Sequence, residues 1–124
     1  MLLNLSSLKF NDVGLIPCIT QSVESNQILM MAWMNQESLT ETLKTKRMIY
    51  WSRSRQTLWE KGKTSGNTQQ LVEMRIDCDQ DCLLALVKQI GPACHTGRSS
   101  CFFSRISSDG ISDLQELNHT DGDQ

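Results

Sequence analysis

The chain has 124 residues, 12 Lys and Arg against 14 Asp and Glu, and a formal net charge of −2. That length fits one domain, and so even a balance excludes a general nucleic-acid binder or a protein held to anionic membranes by charge. No apolar run approaches the roughly 18 residues of a membrane helix, and the first residues lack the basic and apolar regions of a signal peptide. The odd count of five cysteines then predicts a reducing cytoplasm, with thiols kept for metal rather than for disulfides.

In chain order, residues 1–12 read as a loosely ordered lead-in. A short strand is expected over 16–20, with Cys18 in the core. The run 27–34 is almost continuously apolar, which predicts a strand buried on both faces or packed against a partner subunit. Asn35 is a suitable N-cap for a helix over 36–46, with Leu39 and Leu43 inward and basic residues near its C-terminal end. Strands follow at 48–52 and 68–79. The spacing of Leu83, Leu84, Leu86, Val87 and Ile90 predicts a second helix over 82–90, ended by Gly91-Pro92. A strand over 100–106 completes residues 1–106, whose core is about 13–105. Residues 107–124 read as a polar, weakly structured tail with a short helix around 111–117. The expected fold class is α+β: a mostly antiparallel sheet with two main helices.

Two stretches carry chemistry. Between Asp77 and Cys101, 25 residues hold four of the five cysteines, three aspartates and one of the two histidines. Thiolate and imidazole suit zinc, whereas carboxylate oxygens suit magnesium. Strand alternation through Leu71–Asp79 places Asp77 and Asp79 on one face, roughly 6.5–7 Å apart, with Cys78 on the other. Asp81 follows as a third ligand or as the cap of the expected second helix. The Asp-x-Asp-x-Asp spacing imitates an EF-hand loop, but Cys82 stands where that loop needs Gly and Lys88 where it needs Glu. A closed structural zinc site of Cys78, Cys82, Cys94 and Cys101 is the competing reading.

The second stretch, Tyr50 to Asn67, mixes aromatic rings, hydroxyls, Arg and Lys around Gly62 and Gly66. That mixture suits phosphate and base recognition, and a solvated basic hairpin is its bland alternative. Gly62-Lys63-Thr64 is not a P-loop, because Thr57 occupies the position of the first glycine.

Three segments together resemble the phosphoribosyl-AMP cyclohydrolase family over about residues 13–105. They are Trp33-Met34-Asn35; Trp59-x-Lys61-Gly62-x-Thr64-Ser65-Gly66-Asn67; and Asp77-Cys78-Asp79-Gln80-Asp81 with Cys94-His95-Thr96-Gly97-x-x-Ser100-Cys101-Phe102. The resemblance implies a hydrolase of histidine biosynthesis that breaks the C6–N1 bond of the adenine ring of phosphoribosyl-AMP, giving a formimino aminoimidazole carboxamide ribotide. It further implies zinc on Cys78, Cys94 and Cys101, shared across an interwoven homodimer, and magnesium on Asp77, Asp79 and Asp81. A stand-alone form is expected, without a fused pyrophosphohydrolase domain. The chain departs from the family pattern at Cys82, usually a small apolar residue, and at Lys63, often acidic.

Three protein ligands leave zinc an open position, as catalytic sites do. Three thiolates donate much charge, so help from a base is expected, and His95 is its candidate. Ser52, Arg53, Lys61, Thr64 and Ser65 are candidates for the two phosphates, with Trp33, Asn35 and Gly66 also expected at the substrate. A non-catalytic, zinc-stapled nucleotide-binding module is the alternative.

Overall fold

The structure is a computed structural model and describes residues 5–114. Its elements are β1 (Ile16–Ser22), β2 (Ile28–Met34), α1 (Gln36–Thr45), β3 (Ile49–Ser52), β4 (Thr57–Glu60), β5 (Gln69–Ile76), β6 (Leu83–Gln89), β7 (Ser104–Ser107) and β8 (Gly110–Asp113). Six strands form one sheet in the order β4-β3-β2-β1-β6-β5, and β7 and β8 form a separate hairpin.

The helix forms where the caps predict it. The Asn35 side chain accepts from the Ser38 N–H, the Ser38 hydroxyl accepts from the Asn35 N–H, and Lys46 ends α1 in the left-handed region. Such a capping box satisfies two backbone donors that the first turn cannot. Leu39 and Thr42 are buried. The Thr42 hydroxyl donates to the Ile49 carbonyl at 3.1 Å and accepts from the Ile49 N–H at 3.0 Å, which fixes the start of β3.

The expected two-helix, mostly antiparallel fold is not what forms. Among the described residues α1 is the single α-helix, and the sheet is mixed. Residues 82–90 are not helical; Leu83–Gln89 is a strand, antiparallel to β5 and parallel to β1. Leu83, Ala85 and Val87 are buried, and the residues between them are half-buried. A strand with neighbours on both edges reads as a continuous apolar run, which also satisfies a helical stripe. Helix propensities differ by at most about 0.7 kcal/mol among such residues. Burying a Leu or Val is worth about 1.5–3 kcal/mol, so the tertiary environment decides.

Two further corrections concern strands. β5 carries a register shift between Leu71 and Glu73. Gln69 and Leu71 are buried before it and Met74 half-buried after it, while Val72 is 53% exposed. A bulge reverses the phase of a strand, so Val72 does not share a face with Met74. The strand also ends at Ile76, before the aspartates. In the run 27–34, Leu29, Met30 and Met34 are buried but Met31 is 45% exposed, so within one chain it is not covered on both faces. Ile111–Asp113, expected in a helix, lie in β8, and residues 115–124 lie outside the described residues.

The sheet curls. Met48 N donates to Gln69 O, Leu71 N to Lys46 O, and Lys61 N to Met48 O, so the segment before β3 touches both β5 and the end of β4. The core fills the hollow with Ile16, Cys18, Met34, Leu39, Met48, Tyr50, Leu83 and Val87 among others. A buried polar chain crosses it: Thr20 Oγ1 to Tyr50 OH (2.8 Å), Tyr50 OH to Gln69 Oε1 (2.7 Å), and Gln69 Nε2 to Gln89 Oε1 (2.8 Å). Fully satisfied networks of this kind hold strands in one register. No helix among the described residues is long and apolar enough to cross a membrane.

Candidate functional site

The chain leaves β6 into a loop that carries Cys94 and Cys101. Inside it, Cys94 N donates to Arg98 O and Gly97 N, at a positive φ, to Cys94 O. The loop returns to the sheet where β3 is too short to cover β2. There Cys101 N donates to Leu29 O at 2.7 Å, and the Ser100 hydroxyl to Ile28 O at 2.7 Å. Sheet carbonyls left without a strand partner take these donors. On the flank, Arg98 pairs with Asp113 at 3.0 Å and lies 4.1 Å over the Phe103 ring, tying the β7–β8 hairpin to the loop.

Cys94 is buried and Cys101 exposed. The Thr96 hydroxyl donates to Cys94 Sγ at 3.0 Å. That bond, with the Thr96 N–H and the Arg98 charge, pulls the Cys94 thiol below its ordinary pKa. Cys101 is pushed up, first by desolvation and then by Cys94 beside it, with Lys61 acting in the opposite sense. The two thiols therefore interact directly. Cys82 is raised by desolvation and by Asp77 and Asp81, so its neighbours are carboxylates rather than the thiol pair.

Asp77 to Cys82 form the turn of the β5–β6 hairpin. Asp77 N donates to Cys82 O, Gln80 takes a positive φ, and Asp77 Oδ1 accepts from the N–H groups of Asp81 (3.0 Å) and Cys82 (3.2 Å). Asp81 is thus part of a hairpin turn rather than a helix cap. The carboxylates of Asp77, Asp79 and Asp81 offer oxygens within 4.8 Å of one another, and this is the one group of three or more ligand side chains among the described residues. Desolvation opposes the Asp77 charge, but the Asp81, Cys82 and Gln80 N–H groups and the Asp81 carboxyl outweigh it and hold its pKa low. Asp81 is raised, chiefly by its hydrogen bond to Asp77 and then by desolvation and the two neighbouring carboxylates. Like charges packed this closely resist joint ionisation, and a hard cation relieves that conflict.

A cavity of about 550 Å³ brings the two chemical stretches together. Trp59, Lys61, Thr64 and Ser65 line it from the hairpin side, and Cys94, His95 and Gly97 from the cysteine loop. Gly62 shapes its floor at a φ of 82°, where a Cβ would run into the backbone of Asn67 and Thr68. Gly66, also at a positive φ, closes the turn by donating to Gly62 O. Trp33, Ser52 and Arg53 line a different cavity of about 360 Å³, with the Arg53 guanidinium 5.2 Å over the Trp33 ring. Asn35 has its side chain committed to capping α1. Nothing in the spacing singles out Arg55, which lines both cavities. Asn67 closes the Trp59–Asn67 motif, and its contact with Gly91 is visible only in three dimensions, where a Cβ at Gly91 would collide with its side chain.

Known proteins are similar along most of this chain. Residues 30–103 match the family model described as phosphoribosyl-AMP cyclohydrolase. The chain is 63% identical over 100 residues to the phosphoribosyl-AMP cyclohydrolase of a Ruegeria species, covering 81% of this chain and 78% of the relative. The enzyme of the same name from Roseobacter denitrificans is 60% identical over 99 residues, 80% and 77% of the two chains. That from Alkalilimnicola ehrlichii is 57% identical over 107 residues, 86% and 75%.

Proposed function

This chain belongs to the phosphoribosyl-AMP cyclohydrolase family, hydrolases of histidine biosynthesis that open the adenine ring of a nucleotide substrate, and we propose that its reaction runs in the cavity between Trp59 and His95. The observation that carries this placement is a cavity in which an aromatic ring, hydroxyls and a lysine face a cysteine and a histidine. Trp59 offers a face on which a purine can stack, and the Thr64 and Ser65 hydroxyls suit phosphate oxygens.

In the net reaction water adds its oxygen to C6, the C6–N1 bond breaks, and N1 leaves with a proton. His95 is the group on the loop that can take the proton from the attacking water and return it to N1. Substitution at N1 makes the ring cationic and C6 electrophilic, so a modest nucleophile suffices.

The donor set fits two ions. Cys94 and Cys101 sit side by side, with the Cys94 thiolate favoured by Thr96 and Arg98, as a soft ion requires; Cys78 would complete a set of three. Among the described residues Cys78 belongs to no ligand group with those two, which supports a homodimer in which each Cys78 serves the partner's loop. The three aspartates fit magnesium. When bound, zinc would supply an acidified water and magnesium a charge for a substrate phosphate or hydroxyl.

Turnover of phosphoribosyl-AMP, followed by the ultraviolet change on ring opening, tests the reading. Activity should vanish on chelation and return only with both ions. His95→Ala should keep its zinc and lose about 10²–10⁴-fold in kcat. Full turnover in that variant with zinc retained would remove His95 from its role.

A further inference from the structure

We infer that Lys61 is a positioning residue for the cysteine loop, a tie to the backbone just before Cys94, rather than a clamp on substrate phosphate. The inference rests on the proposed zinc role of Cys94 and Cys101, and its subject is how this chain prepares those thiols.

The geometry assigns the ammonium to the loop. Lys61 Nζ donates to the carbonyl of Ala93, the residue before Cys94, at 2.6 Å, and it lies 5.4 Å from the centroid of the Trp59 ring. Lys61 is only half-exposed, and its own N–H is bonded to Met48 O at 3.0 Å, so the donor projects from a fixed strand end. Charge-assisted bonds of this length are among the stronger ones in proteins. The cysteine loop is anchored at its far end by Ser100 and Cys101 on β2 and at its flank by Arg98 on Asp113. Lys61 supplies the anchor at the near end, and it comes from the substrate-facing hairpin.

Hydroxyls of Thr64 and Ser65 and the ammonium of Lys63 line the same cavity and offer phosphate other partners.

The test uses the full-length zinc-loaded protein and reads zinc affinity by competition with a chromophoric chelator, with no substrate present. Lys61→Gln should weaken zinc by about 10- to 100-fold, the range of outer-shell partners, and lower kcat while KM for phosphoribosyl-AMP moves less than about threefold. Lys61→Arg keeps a charged donor for the Ala93 carbonyl and should recover most of the affinity. Lys61→Gln with zinc affinity unchanged and KM alone raised would overturn the inference and make Lys61 a phosphate clamp. Should Lys61→Gln fail to fold, Lys61→Arg decides: near-normal zinc affinity and KM support the inference, whereas normal affinity with a tenfold higher KM overturns it. Turnover by the wild type, measured separately, keeps failure here distinct from failure of the proposed reaction.

Discussion

The two loops that carry the proposed metal ligands are built in opposite ways. The cysteine loop is held from outside, by Leu29 and Ile28 of β2, by Lys61 at the end of β4, and by Asp113 through Arg98. The aspartate turn is held from inside, by the Asp77 carboxylate on its own backbone, and it is exposed. A loop tied to three elements has Cys94 and Cys101 placed by contacts from outside itself. A hairpin turn of six residues instead arranges its oxygens by local geometry alone, and it carries Cys78 and Cys82 outside the cysteine loop. The first loop reports on the tertiary fold, and the second is almost independent of it.

The largest expected effect is at the proposed zinc thiols. Cys94→Ser and Cys78→Ser should each lose zinc and more than about 100-fold in activity, exceeding the loss for residues that only hydrogen-bond to ligands. Mixing the two inactive variants should restore about one quarter of wild-type activity after random exchange, because half of the pairs are mixed and each holds one intact site. Absence of recovery would place all three thiols in one chain.

A smaller effect separates the turn's two jobs. Asp77→Asn keeps an oxygen for the Asp81 and Cys82 N–H groups but loses the charge. Its magnesium requirement should rise about 10- to 100-fold with the thermal midpoint unchanged. Asp77→Ala should lower the midpoint as well; equal midpoints would mean that the carboxylate does not hold the turn.

The smallest effect lies in the core beneath both loops. Burial pushes the Cys18 thiol up to about 12 from near 9, and burial also raises Tyr50 well above its ordinary value. Below pH 9 both forms of the chain keep the Cys18 proton and its contribution is complete. Above it, the unfolded thiol ionises while the folded one cannot until about pH 12, so the unfolded state holds fewer protons and stability falls. The loss from Cys18 alone should reach about 2 kcal/mol by about pH 10.5. Thermal midpoints measured from pH 8 upward should fall less steeply in Cys18→Val, and an equal slope would exonerate the thiol.

Residues and spacing were enough for much of this. The Asn35 cap, the Gly62 and Gly66 turn, the aspartate triplet and the burial of Cys18 are local or compositional properties, and local properties are written in consecutive residues. Leu83–Gln89 was not legible, because a strand between two neighbours and a buried helix face use the same apolar run, and only pairing with β1 and β5 separates them. The Val72 bulge was hidden for a similar reason, since one extra residue changes every later side chain's face without changing composition. Lys61 suggested phosphate by its type and motif, yet the curl of the sheet carries it to Ala93. The sequence by itself determined the family the chain belongs to and which side chains are candidates for its chemistry. Tertiary structure alone decided which of them meet, because contacts between residues 61 and 93, or 29 and 101, depend on strand order and register rather than on distance along the chain.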